Sequence, residues 1–168
     1  MTGVAISLTA ITGYTPYSAR PETMVPTSGG FVTNPDIGSN FKVVMPPNAL
    51  GTSGNAATVS TQPTTRLPTP PTGRILSSDA VTISVVDSSG AAVSSLNDDI
   101  TITIPYTEAD IPAGVSETDL VVGTWNDATQ AYNTLSTTVD STNNTLTAQV
   151  SHLSDFAPLI ATDPSAPD

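Results

Sequence analysis

The sequence contains no cysteine and a single histidine, His152. Disulfides, thiol chemistry and thiolate metal sites are thereby excluded, and so is any metal centre built on several imidazoles. Basic residues are scarce: four Lys and Arg stand against 15 Asp and Glu, for a formal net charge of −11. Such a chain repels phosphate backbones and anionic lipid, which excludes nucleic-acid binding. Charged residues of both signs make up only 11% of the 168, so Thr, Ser, Asn and Gly must clothe the surface in place of salt bridges. No apolar run approaches the roughly 18 residues of a membrane span, and the opening Met1-Thr2-Gly3-Val4 lacks the basic start of an export signal. The expectation is a soluble segment of a longer secreted or cell-surface protein, with no membrane insertion and no cofactor. Its partners are then the neighbouring domains of the same parent chain.

What the sequence does have is alternation. Short stretches switch between apolar residues and Thr or Ser with period two, and Gly, Pro, Asn and Asp separate them. Val81/Ile83/Val85, Ile100/Ile102/Ile104 and Leu146/Ala148/Val150 each share one face of a strand. Asp87-Ser88-Ser89-Gly90 and Asp140-Ser141-Thr142-Asn143-Asn144 read as turns whose side chains cap their own backbone. Weaker strands are expected over residues 4–10, 31–33, 41–45, 58–60, 120–125 and 156–160. Helix is limited to one turn near Thr107-Glu108-Ala109-Asp110, because Pro112 follows. Residues 62–73 carry Pro63, Pro68, Pro70 and Pro71 and read as a long loop. The fold class is all-β, an antiparallel two-sheet β-sandwich of about nine or ten strands. Its expected limits are residues 28–161, after an N-terminal strand and Pro-rich linker over 1–27 and before a Pro-rich tail over 162–168.

Two stretches carry a family resemblance. Gly29-Gly30-Phe31-Val32, then Met45-Pro46-Pro47-Asn48-Ala49-Leu50 and Ala57-Thr58-Val59, resembles the β-sandwich domain shared by ankyrins, netrin receptors and the zonula occludens protein, over residues 28–105. Asn48 stands where that family has Gly, and Asn also admits a left-handed backbone. The second stretch comprises Trp125-Asn126-Asp127, Tyr132 and the run Ser151-His152-Leu153-Ser154-Asp155-Phe156-Ala157. It resembles the autoproteolysis-inducing domain of adhesion receptors, in the cysteine-free form carried by bacterial surface proteins, and covers residues 106–161. The resemblance implies a single-turnover self-cleavage of the Leu153-Ser154 bond. Ser154 would attack the Leu153 carbonyl with His152 as general base, the ester would hydrolyse, and the fragments would stay associated. Pro158 departs from the pattern, in which an apolar residue occupies the last strand.

Physical chemistry alone sets conditions on that chemistry. Extending the alternation of Leu146, Ala148 and Val150 puts His152 on the apolar face, where a hydrogen-bonded, packed imidazole is the ordinary role. In a straight strand His152 and Ser154 are about 6.6 Å apart, whereas proton transfer needs about 2.6 to 3.2 Å. Cleavage therefore requires a kink at Leu153-Ser154, in a tight turn before Phe156. The competing reading is a non-cleaving structural module of an extracellular multidomain protein. Lesser chemistries are an isopeptide crosslink at Lys42, the only lysine, and calcium at Asp98-Asp99 or the Asp140 turn. Sugar stacking on Trp125 and Tyr132 is weighed against core packing, which their setting favours. Asn143-Asn144-Thr145 forms a glycosylation sequon.

Overall fold

Val, Ile and Thr crowd Cβ with two heavy atoms, which suits a pleated strand, and their alternation decides which face is buried. In the computed structural model, which describes residues 19–64, 80–126 and 128–161, this pattern builds eleven strands. They are β1 (Arg20–Met24), β2 (Gly30–Thr33), β3 (Lys42–Met45), β4 (Ala57–Pro63), β5 (Val81–Val86), β6 (Ile100–Pro105), β7 (Leu120–Asn126), β8 (Ala131–Thr134), β9 (Thr137–Asp140), β10 (Thr145–Val150) and β11 (Asp155–Ile160). Among the described residues helix is confined to two single 3-10 turns, Glu108–Asp110 and Glu117–Asp119.

Two antiparallel sheets result, one of six strands in the order β1-β4-β5-β11-β7-β8 and one of five in the order β2-β3-β6-β10-β9. Leu146, Ala148 and Val150 lie opposite Ile104, Ile102 and Ile100, and all six are buried together with Val81, Ile83 and Val85 of the other sheet. Val43, Met45, Val59, Val122 and Phe156 complete one continuous core between the sheets. Both halves of the sequence feed both sheets, so residues 28–105 and 106–161 share that core rather than forming separate units.

The two parts of the first resemblance touch. Gly29 has φ 62° and lies so close to the next turn that a Cβ there would meet Met45 O at 2.5 Å and Pro47 N at 2.7 Å. Asn48 adopts φ 68°, and its N–H donates to Pro26 O at 2.7 Å. Asn48 thus adopts the left-handed backbone that its side chain admits.

Several strand limits differ from the sequence reading. Residues 20–24, expected in a Pro-rich linker, form β1 and pair with β4; Pro21 is tolerated because β1 is an edge strand. Gln62 and Pro63, expected in the long loop, instead end β4 opposite Thr82 and Val81. β8 and β9 were not expected, since each is four residues long and mostly solvent-facing, with too little apolar alternation to register. The strand expected over residues 4–10, most of the long loop and the 162–168 tail lie outside the described residues.

Pro158 sits inside β11 without leaving the Val122 carbonyl opposite it unmatched. It pairs with Val122, whose N–H and C=O are both engaged on the opposite side, by Thr137 Oγ1 at 2.9 Å and by Leu135 N–H at 2.8 Å. The pair is therefore non-hydrogen-bonded, and the missing N–H of Pro158 points toward β5. Among the described residues β5 pairs with β11 only through Asp155 and Phe156, and no ladder bond between them is lost.

Candidate functional site

β10 and β11 belong to different sheets, so residues 151–154 must carry the chain across the sandwich. Facing sheets lie about 10 Å apart, and four residues span that only if the strand path is broken. The chain accordingly bends at Ser151 and His152, directly after β10 ends at Val150. The bend cancels the alternation. His152 is exposed, not on the apolar face where the extended period of two puts it. Its ring lies 6.3 Å from that of Phe156 at an interplanar angle of 45°.

Beyond the bend the chain is held at each residue. Leu153 is half-buried against the main core. Ser154 is also half-buried; its carbonyl accepts the Ile83 N–H at 3.1 Å, and its Oγ accepts the Thr124 hydroxyl at 2.8 Å. Asp155 accepts the Thr82 hydroxyl at 2.5 Å. β5 and β7 flank β11 on either side, so two threonines, one from each neighbour, fix the entry to the central strand.

For acyl transfer the Ser154 hydroxyl must give up its proton as it approaches the Leu153 carbonyl carbon. A hydroxyl has one donor and two acceptor positions. Thr124 fills an acceptor position and so orients Ser154 Oγ without serving as its base. Among the described residues no hydrogen bond joins His152 to Ser154, and the bend and the tripeptide coincide without assembling a base–nucleophile pair.

The chain matches no protein-family model and no curated protein.

The sequence reading named His152, Leu153 and Ser154, and all three lie on this crossover. It missed Thr124 and Thr82. Thr124 could have been found, because Leu120, Val122 and Thr124 alternate inward along β7 and a hydroxyl at the third position needs a partner; it is 2% exposed.

The other candidate chemistries are placed as follows. Lys42 is exposed, its Nζ 4.6 Å above the Phe31 ring. Asp98 accepts the N–H of Asp99 at 2.9 Å. Asp140 is occupied by its own turn, through the N–H groups of Thr142 and Asn143 and the Asn143 side chain at 2.7 Å. Among the described residues no group of three or more His, Cys, Asp or Glu could hold a metal ion, and no helix is long and apolar enough to cross a membrane. Trp125 and Tyr132 meet edge to face at 5.0 Å and pack with Ala80 and Ala157 on the outer side of the six-stranded sheet. That is a packing role.

Proposed function

We propose that this chain is a structural β-sandwich module of a secreted or cell-surface protein, which presents a surface from its parent chain. The observation that carries this reading is the capture of Ser154. Its hydroxyl is engaged by Thr124 and its carbonyl by Ile83, while the only imidazole of the chain is exposed and unbonded to it. The strand directions support presentation rather than spacing. β1 pairs antiparallel with β4, β4 with β5 and β5 with β11, so β1 enters and β11 leaves toward the same end of the sheet. A surface dressed with Thr and Ser, poor in lysine and free of cysteine, suits the extracellular setting.

A second reading is self-processing at Leu153-Ser154, favoured by the position of the tripeptide on the bent crossover ahead of a central strand. A break there would leave β11 hydrogen-bonded to β5 and β7 and the fragments associated. Cleavage by this route begins with rotation of the His152 imidazole onto the Ser154 hydroxyl. Denaturing intact-mass measurement decides between the readings: the structural module remains one species after long incubation at neutral pH. Fragments ending at Leu153 and beginning at Ser154, abolished by Ser154→Ala and slowed about 10²- to 10⁴-fold by His152→Ala, would replace it with self-processing.

A further inference from the structure

A cleft of about 330 Å³ opens on the five-stranded sheet, near the lower end of the roughly 300 to 1,000 Å³ of small-molecule sites. Thr33, Lys42, Thr103 and Thr145 come from four strands, β2, β3, β6 and β10, and form its floor. Thr33 and Lys42 are exposed and Thr103 is half-buried, on the side opposite the buried Val32, Val43 and Ile102, while Thr145 is itself buried at 5% exposure at the bottom of the cleft. Ser39 and Asn40 from one loop and Asp140 and Asn143 from another rise as walls. The Asn40 side-chain amide donates to Asn143 O at 3.1 Å and joins the walls.

The lining selects its ligand by chemistry. Hydroxyls, carboxamides, one ammonium and one carboxylate converge, and the single aromatic among them, Phe41, is buried at 1% exposure. An apolar ligand finds nothing to pack on. An anion meets Lys42 but also Asp140 and the field of a chain whose net charge is −11. A cation meets Lys42, which among the described residues has no carboxylate partner. Asp140, Asn143, Asn40 and Thr103 already bond within the protein, and a neutral polyol can use the donor and acceptor positions left over beside Lys42 without opposing either charge, since every hydroxyl both donates and accepts. Beside the cleft, Phe31 is 60% exposed and lies beneath Lys42. It offers a flat apolar face of the kind on which the C–H side of a pyranose ring rests.

We propose that this cleft, with Phe31 as its platform, binds a neutral hexose unit of a polysaccharide. The proposal stands whether or not the Leu153-Ser154 bond breaks, since the cleft includes none of residues 151–155.

The test titrates the 168-residue chain with neutral oligosaccharides of glucose, galactose, mannose and N-acetylglucosamine while amide NMR shifts are followed. At least one series is expected to shift Thr33, Asn40, Lys42, Thr103 and Asn143 together. Phe31→Ala and Thr103→Val, which leave the core untouched, should each weaken that binding by about 3- to 10-fold, the worth of one contact or hydrogen bond. The proposal fails if no series shifts these amides at millimolar sugar, if binding is unchanged in both variants, or if only uronic-acid oligosaccharides bind.

Discussion

The Asn34 side-chain amide donates to Thr61 O at 2.9 Å and to Thr61 Oγ1 at 3.2 Å, and so fastens the end of β2 in one sheet to β4 in the other. Asn34 is fully buried at 0% exposure and Thr61 at 1%. The remaining oxygen of the amide accepts the Asp36 N–H at 3.0 Å, which leaves no buried polar atom of this side chain unpaired. Removing the amide takes a donor from both Thr61 oxygens inside the core. Asn34→Ala should therefore lower the unfolding free energy by about 1 to 3 kcal/mol. Thr61→Val, which keeps the backbone carbonyl, should cost less. Chemical denaturation of both variants and of the double variant checks this; equal costs would show that the hydroxyl, not the carbonyl, is the important acceptor.

Gly29 supplies a second, more severe test. A side chain there meets backbone atoms of Met45, Pro46 and Pro47, all within 2.7 Å of the Cβ position, in a residue already at φ 62°. Backbone locked by two consecutive prolines cannot give way. Gly29→Ala should cost about 2 to 4 kcal/mol, from overpacking added to left-handed strain, and the loss should appear as a lowered thermal midpoint. A change near zero would mean that the turn at Pro46-Pro47 moves freely.

The core strands were legible because one face of each is buried on a continuous core while the other meets solvent, so Ile100, Ile102 and Ile104 alternate with Thr101 and Thr103. β1, β8 and β9 escaped because an edge or exposed strand has little apolar face to display, as Ala131-Tyr132-Asn133-Thr134 shows. At the candidate site the residues were legible and their orientation was not. His152 was expected to follow the period of β10, but sheet-to-sheet crossing broke that period two residues earlier. Thr124 and Ser154 are 30 residues apart, a pairing that depends on strand order and has no local sequence mark. The cleft beside Phe31 depends likewise on β2, β3, β6 and β10 lying side by side.

The acid sensitivity of the fold should trace to two turns. Asp87 is held below the ordinary carboxylate value of 3.8, chiefly by the Ser89 hydroxyl and then by the N–H groups of Ala91 and Ser89. Asp140 is held below the same value, chiefly by the Asn143 side chain. A depressed pKa means that the ionised form favours the folded chain. This stabilisation is fully present above 3.8 and fades as pH falls through the lower folded values. Thermal midpoints of the wild type should fall more steeply below about pH 4 than those of the Asp87→Asn/Asp140→Asn variant, which keeps one acceptor oxygen in each turn but not the titration. Parallel pH profiles would assign the acid loss to other carboxylates.

The last strand should be required for folding whether or not the chain is ever nicked. β11 lies between β5 and β7 rather than at an edge, and Phe156, Leu159 and Ile160 are each at most 2% exposed. Burying such side chains is worth about 1.5 to 3 kcal/mol each. Together they approach the roughly 5 to 15 kcal/mol by which a domain is stable at all. A chain ending at Leu153 would also expose the unpaired edges of β5 and β7, which invite aggregation. The expected outcome is an insoluble or unfolded truncated chain, seen as loss of the cooperative thermal transition and of the dispersed amide spectrum. A soluble truncated chain with the wild-type midpoint would show that the six-stranded sheet closes without its central strand, and would remove the reason for fragments to stay together after cleavage.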